Sequence, residues 1–114
     1  NVYATQLEST IRKLETTTDA LIEIRDGGEV TLFLANASIY LDTFGHIVIA
    51  WMWLRQALEA APHIEAVNVD HDFYLGKLQA CQYFYRYELS KVPERLALLA
   101  ESDATCLEMR NEWF

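Results

Sequence analysis

Apolar residues return at alternating intervals of three and four along most of this chain, and that spacing admits few folds. From about Tyr3 to Arg25, the residues Leu7, Ile11, Leu14, Thr18 and Leu21 form the stripe of an amphipathic helix that packs in a bundle. Glu8, Arg12, Glu15, Asp19 and Glu23 fall off the stripe and are expected to face water. Gly27 and Gly28 follow Asp26 and supply the left-handed residue that stops a helix. A second segment runs from about Val30 to Ala61, with Phe33, Ala37, Tyr40, Phe44, Ile47, Trp51, Leu54 and Leu58 as its core seam. Beside it Leu34, Leu41, Val48 and Arg55 recur every seven residues, so the apolar face is wider than one neighbour covers. Pro62 ends this helix, and residues 62–71 read as a loop. A third segment starts near Asp70 or Asp72, either of which can cap a helix, and carries Leu75, Leu78, Gln82, Tyr85, Leu89, Val92, Leu96 and Leu99. Pro93 predicts a kink there, or a break with Pro93 in the first turn of a new helix. A short last helix from Ser102 or Asp103 carries Cys106, Leu107 and Met109, and the chain closes on Trp113 and Phe114.

Val30–Leu34, Ile47–Ile49 and Tyr83–Tyr87 are rich in β-branched or aromatic residues, yet each lies inside a longer three-four pattern. With only 4 Gly and 2 Pro, the chain lacks the turns that a β-sandwich needs. The reading is one compact all-α domain over residues 1–114: an up-and-down bundle of three long helices plus a short C-terminal helix, the second helix most buried. The stretch from Phe44 to Leu54 is apolar but too short for a bilayer, and Asp42 and Arg55 flank it. A net charge of −8, with the basic residues scattered, argues against nucleic acid and anionic membranes. Cys81 and Cys106 are outside any CxxC pair and read as reduced thiols of a cytoplasmic protein.

The candidate chemistry is sparse. Asp42 and His46 share a helix face and form a carboxylate–imidazole pair, but a di-iron bundle requires further Glu and His in a fixed pattern that is missing here. A phosphotransfer histidine needs exposure, and Ile47, Val48 and Ile49 beside His46 suit burial instead. His63, Glu65, Asp70, His71 and Asp72 match no metal-site spacing and read as loop and cap residues. No catalytic, cofactor-binding or metal-ligating residue is assigned. Trp51, Met52 and Trp53 are consecutive and must point apart; with Trp51 in the seam, Trp53 is the leading candidate for a partner surface. Ile49, Tyr83 and Tyr87 join it, because aromatics surround the third helix.

Two stretches carry a family resemblance: Leu34 to His46 (LANASIYLDTFGH) with Arg55-Gln56-Ala57-Leu58, and Phe73 to Leu89 (FYLGKLQACQYFYRYEL) closing on Val92-Pro93. They resemble the C-terminal helical extension of bacterial acyl-CoA dehydrogenases of the methylmercaptopropionyl-CoA dehydrogenase-like subgroup. The resemblance implies a longer parent flavoenzyme that holds FAD and removes hydrogens from the α and β carbons of an acyl-CoA thioester. Its catalytic glutamate lies in the body upstream, and no glutamate here matches it. The start at Asn1 fits an excised piece. The extension is then expected to bind neither FAD nor acyl-CoA alone, and to pack on the body or on a second subunit of a homo-oligomer. The competing reading is a free-standing helical interaction module.

Overall fold

The computed structural model describes residues 1–65 and 70–114, and every regular element among them is helical. Helix α1 is Val2–Asp26, α2 Val30–Leu34, α3 Ala37–Ala60, α4 His71–Tyr83, α5 Val92–Ala100 and α6 Thr105–Glu108. They form three long antiparallel tracks and a short tail. Asn1 caps α1, its Oδ1 accepting from the backbone N–H groups of Tyr3 at 2.9 Å and Ala4 at 3.3 Å. Gly28, with φ +93°, reverses the chain after α1 at the expected place. Part of the expected 62–71 loop, residues 66–69, lies outside the described residues. Asp70 occupies the N-cap position of α4, and Thr105–Glu108 is the short last helix, which Met109 follows rather than joins.

The second track is not one helix. It breaks at Ala35–Asn36, where Asn36 leaves helical geometry (φ −120°, ψ 30°) and its Nδ2 donates to the carbonyl of Asp103 at 2.9 Å. The third track resolves the choice offered by Pro93. A π turn over Phe84–Glu88 and a 3-10 turn over Leu89–Lys91 rewind the backbone, and α5 restarts with Pro93 in its first turn. The proline has no N–H to give, and upstream rewinding removes the demand for one.

Two seams are shifted from the sequence reading. On α1, Leu7, Leu14 and Leu21 are buried as expected, but Thr10 and Thr17 fill the gaps while Ile11 is exposed. Thr10 tolerates burial because its Oγ1 donates to the Gln6 carbonyl at 2.8 Å. On α3 the buried line is Thr43, Ile47, Ala50 and Leu54, whereas Phe44 and Leu58 are exposed and Trp51 is 49% exposed. Trp51 is therefore not core. Helix α3 is not the most buried element either: Thr43 and Ala50 are fully buried on it, but the bulkiest fully buried side chains, Tyr85, Leu89, Val92, Leu96 and Leu99, all lie on the third track. Tyr85 anchors them, donating its hydroxyl to the Ala50 carbonyl at 2.8 Å while Tyr3 packs on its ring at 4.8 Å.

The molecule is not compact. Its extents are 63 × 32 × 15 Å and its radius of gyration is 18.7 Å, against about 13 Å for a compact domain of this length. Its accessible surface is 7982 Å², about 1,500 Å² more than the roughly 6,400 Å² of a compact monomer of this mass. A helix covered on both faces needs three layers, more than about 20 Å with axes 8–10 Å apart. At 15 Å no helix here can be covered all round. The cause of the length is register. Tyr3 and Gln6 meet Tyr85, Gln6 Nε2 donating to its carbonyl at 3.2 Å, so α1 begins level with Tyr85. It runs beside α5 from there, and α4 packs mainly on the C-terminal half of α3. That pair projects beyond α1 as a two-helix arm.

Candidate interaction surface

Because α3 carries apolar side chains nearly all round, burying one face leaves another open. At 100° per residue, Leu41, Phe44, Val48 and Trp51 form a second stripe roughly 110° around the helix from Thr43, Ile47, Ala50 and Leu54. All four are exposed, Leu41 at 72%. Met52 widens the stripe and Arg55 closes it, the guanidinium carbon 5.2 Å above the Trp51 ring. Of the set spaced by sevens in the sequence, Leu41, Val48 and Arg55 thus lie on the open stripe rather than on a flank of the core, while Leu34 ends α2 before the break. An 18-residue window within Ala37–His63 reaches a mean hydropathy of 1.2, so by length and composition alone this helix passes the test for a membrane span, although Phe44–Leu54 alone is too short.

The four residues expected to meet a partner are placed unequally. Ile49 is exposed on α3. Tyr83 and Tyr87 are exposed and stack on each other at 4.8 Å, in a shallow groove with Gln79, Gln82 and Arg86. Trp53 is partly buried against the core, its ring 5.7 Å from the Lys77 ammonium, which also lies 5.1 Å from the Phe73 ring. The sequence exchanges the two tryptophans: Trp51 is the outward one.

Polar groups gather on one edge, where α3 meets the π turn and α5. His46 Nδ1 lies 3.0 Å from the Asp42 carbonyl oxygen, and its Nε2 lies 3.4 Å from Glu88 Oε2. Lys91 Nζ donates to the same Glu88 oxygen at 3.4 Å, and Arg95 donates to Asp42. The Lys91 hydrogen bond, and then that of His46, hold the Glu88 carboxyl below its usual range. Every carboxylate in the chain of contacts faces a cation or imidazole, so the Asp42–His46 pair is a bridge between helices. Burial pushes the Cys81 thiol up, and burial and then the neighbouring Cys81 do the same to the Tyr85 phenol, so neither is an activated nucleophile. Near α4, His63 stacks on Tyr74 at 4.4 Å and His71 Nε2 lies 3.0 Å from the Ile64 carbonyl oxygen. Among the described residues no three His, Cys, Asp or Glu converge as a metal site would require.

A family profile described as acetyl-CoA dehydrogenase C-terminal like matches residues 1–110. The chain belongs to that family. No curated protein and no solved structure matches it. Acyl-CoA dehydrogenases are flavin enzymes, so the geometry of this C-terminal-like domain must be tested against FAD. The fit is poor. A groove of about 590 Å³ between α1 and α5 is an open trough with Glu8, Arg12 and Lys13 on its rim. No glycine-rich turn leads into a long helix to cradle a pyrophosphate: Gly45 and Gly76 lie within helices, and Gly27-Gly28 leads only into the five-residue α2. No step of flavin chemistry is therefore assigned to these residues. The feature that this dehydrogenase C-terminal-like domain presents is an apolar surface.

Proposed function

We propose that the chain is a non-catalytic packing domain of an FAD-dependent acyl-CoA dehydrogenase of the methylmercaptopropionyl-CoA dehydrogenase-like subgroup, docked on the enzyme body through the outer stripe of α3. The carrying observation is that stripe: Leu41, Phe44 and Val48 stand uncovered side by side on a helix whose other face is already core. Burying it would return apolar surface at about 25 cal/mol per Å². A protein partner suits the stripe better than lipid. Asp42 and His46 on the opposite side of α3 are tied into a network with Glu88, Lys91 and Arg95 of the third track, and a bilayer spanned by this helix would strand those charges in hydrocarbon. Nothing in the net charge of −8 suits nucleic acid. The flavin, the base and the acyl-CoA site then belong to the body, in the cytoplasm, and this domain acts on them through position alone.

The test is to express the flavoenzyme body and this domain as separate chains and to measure their association and the flavin content of each. Flavin is expected with the body only, and Leu41→Glu with Val48→Glu is expected to abolish association while leaving the helical circular dichroism unchanged. A full gene without a flavoenzyme body, or stoichiometric flavin on this domain alone, would sink the proposal.

A further inference from the structure

The outer stripe of α3 begins on a hole. Ala37 lies seven residues before Phe44, within about 20° of it around the helix, and is exposed. The line Ala37, Phe44, Trp51 thus starts on a methyl group where its later members are rings. Just before Ala37 the chain leaves helical geometry at Asn36, and between α2 and α3 stands a pocket of about 180 Å³ that Ala37 lines. Four helices wall it: Leu21 comes from α1, Phe33 from α2, Tyr40 from α3 and Leu99 from α5. The Tyr40 ring lies 6.3 Å from that of Phe44, so the pocket and the stripe form one continuous apolar surface.

Resting on the docking function above, we propose that this pocket receives one aromatic side chain of the enzyme body, a tryptophan or a tyrosine, as the anchor of the docked domain. The occupant comes from the body because the mouth at Ala37 is on the stripe. A protein seated on Leu41 and Phe44 closes over that mouth, and close-packed interfaces do not leave voids of this size. Volume sets the anchor at one ring system, since apolar cavities of about 150 Å³ take up a benzene. Charge rules out an arginine, a lysine or a carboxylate: none of the described lining residues is charged, so an ion would be buried unpaired. Hydrogen bonding selects among the rings. Thr18 spends its one hydroxyl proton on the Leu14 carbonyl at 2.8 Å, so in its 2.8 Å contact with Tyr40 the phenol is the donor. Acceptor capacity is what remains on the Tyr40 oxygen, and an indole N–H or a phenol O–H satisfies it where leucine or phenylalanine does not. Such rings, held in a pocket, dominate the affinity of protein interfaces.

Calorimetric titration of the separately expressed body onto the 114-residue chain carries the test. Ala37→Phe fills the pocket from its mouth and is expected to weaken association at least about 30-fold with unchanged helical circular dichroism. Ala37→Ser keeps the mouth open and is expected to bind like the wild type. Should Ala37→Phe lose helicity, Leu34→Glu supplies the comparison: it places a charge at a lining position that is 55% exposed, and is expected to weaken association likewise. Indole is the free probe. It is expected to bind the chain near about 1 mM, to shift the Tyr40 ring signals in NMR spectra, to lose about fivefold in affinity in Tyr40→Phe, and to be displaced by the body. A body that binds Ala37→Phe and Leu34→Glu as tightly as the wild type overturns the anchor and leaves docking through the stripe standing. Indole that stays bound when the body docks overturns it too, because the pocket is then a small-molecule site. A body that does not bind the wild type at all refutes the docking function, and the anchor falls with it.

Discussion

Thr43 lies in the middle of α3 with no exposed surface, and its Oγ1 has no hydrogen-bond partner. A buried hydroxyl left unpaired costs about 1–3 kcal/mol. Valine has nearly the same shape and nearly the same helix propensity, so Thr43→Val removes the polar atom without opening a cavity. The expected result is stabilisation by about 1–2 kcal/mol, a rise in melting temperature of about 4–8 °C per kcal/mol. Thr10 is the control. It is nearly as buried, but its Oγ1 donates to the Gln6 carbonyl at 2.8 Å. Thr10→Val breaks a made bond and should be neutral or destabilising by about 1 kcal/mol. Urea unfolding followed by circular dichroism reads both, provided that the slopes match and only the midpoints move. If Thr43→Val lowers the midpoint, or if both variants shift alike, the hydroxyl is satisfied in solution and the reasoning fails.

The tryptophans separate by the same assay. Trp53→Ser should destabilise by about 2–4 kcal/mol because the ring packs on the core, whereas Trp51→Ser on the exposed stripe should change stability by less than about 1 kcal/mol; equal effects would contradict the seam. Gly28→Ala has open space around its Cβ, so its expected loss of about 1 kcal/mol comes from the backbone at φ +93° alone, and an unchanged melting temperature would show that this turn relaxes. The Glu88 carboxyl is held low by Lys91 and His46. A depressed carboxyl contributes stability above its unfolded pKa, and that stability is lost as pH falls through the folded value. Melting temperature should therefore drop on acidification below about pH 5, less steeply in Glu88→Gln; parallel profiles for the two proteins would remove Glu88 from the account.

The all-helical, three-track layout, the left-handed turn at Gly28 and the restart at Pro93 were legible because each depends on local chemistry: three-four spacing, a missing Cβ, a missing N–H. The break at Asn36 was not. Neither glycine nor proline marks it, and the partner of the Asn36 amide, the Asp103 carbonyl, is sixty-seven residues away. The seam of α3 was misplaced for a different reason. Phe44, Ile47, Val48, Ile49, Trp51 and Met52 surround the helix, so apolarity alone cannot say which side is inside. Size can. Thr43, Ala50 and Ala57 recur every seven residues, and small side chains mark the line where a neighbouring helix approaches closely. That line, not the bulky one, faces α4 and α5. The open surface was legible in kind, as too much apolar surface for three helices, but not in residue. Trp53 is sheltered by the core it packs against and by Lys77, which no reading of α3 by itself can supply.

The distribution of bulk carries a further consequence. On the side of α3 that faces its neighbours the small residues Thr43, Ala50 and Ala57 alternate with Ile47 and Leu54, while Leu41, Phe44, Trp51 and Met52 face outward. A monomer selected for its own stability would be expected to place the large side chains inside, where each contributes about 1.5–3 kcal/mol on burial. Here the close-packed side is the side with Thr43, whose hydroxyl is unpaired, and the bulky side is open. If the enzyme body covers the outer stripe, as proposed, Leu41, Phe44, Trp51 and Met52 add a hydrophobic gain beyond that of the intrachain core. It follows that stability should depend on assembly more than on any single core residue. Ligand-like stabilisation by a bound partner grows as RT ln(1 + [L]/Kd), about 2.7 kcal/mol at a hundredfold excess over Kd. The melting temperature of this chain should accordingly rise with added enzyme body if the outer stripe docks. A melting temperature independent of the body would mean that the outward bulk is not there for docking, and the proposed contact would fall.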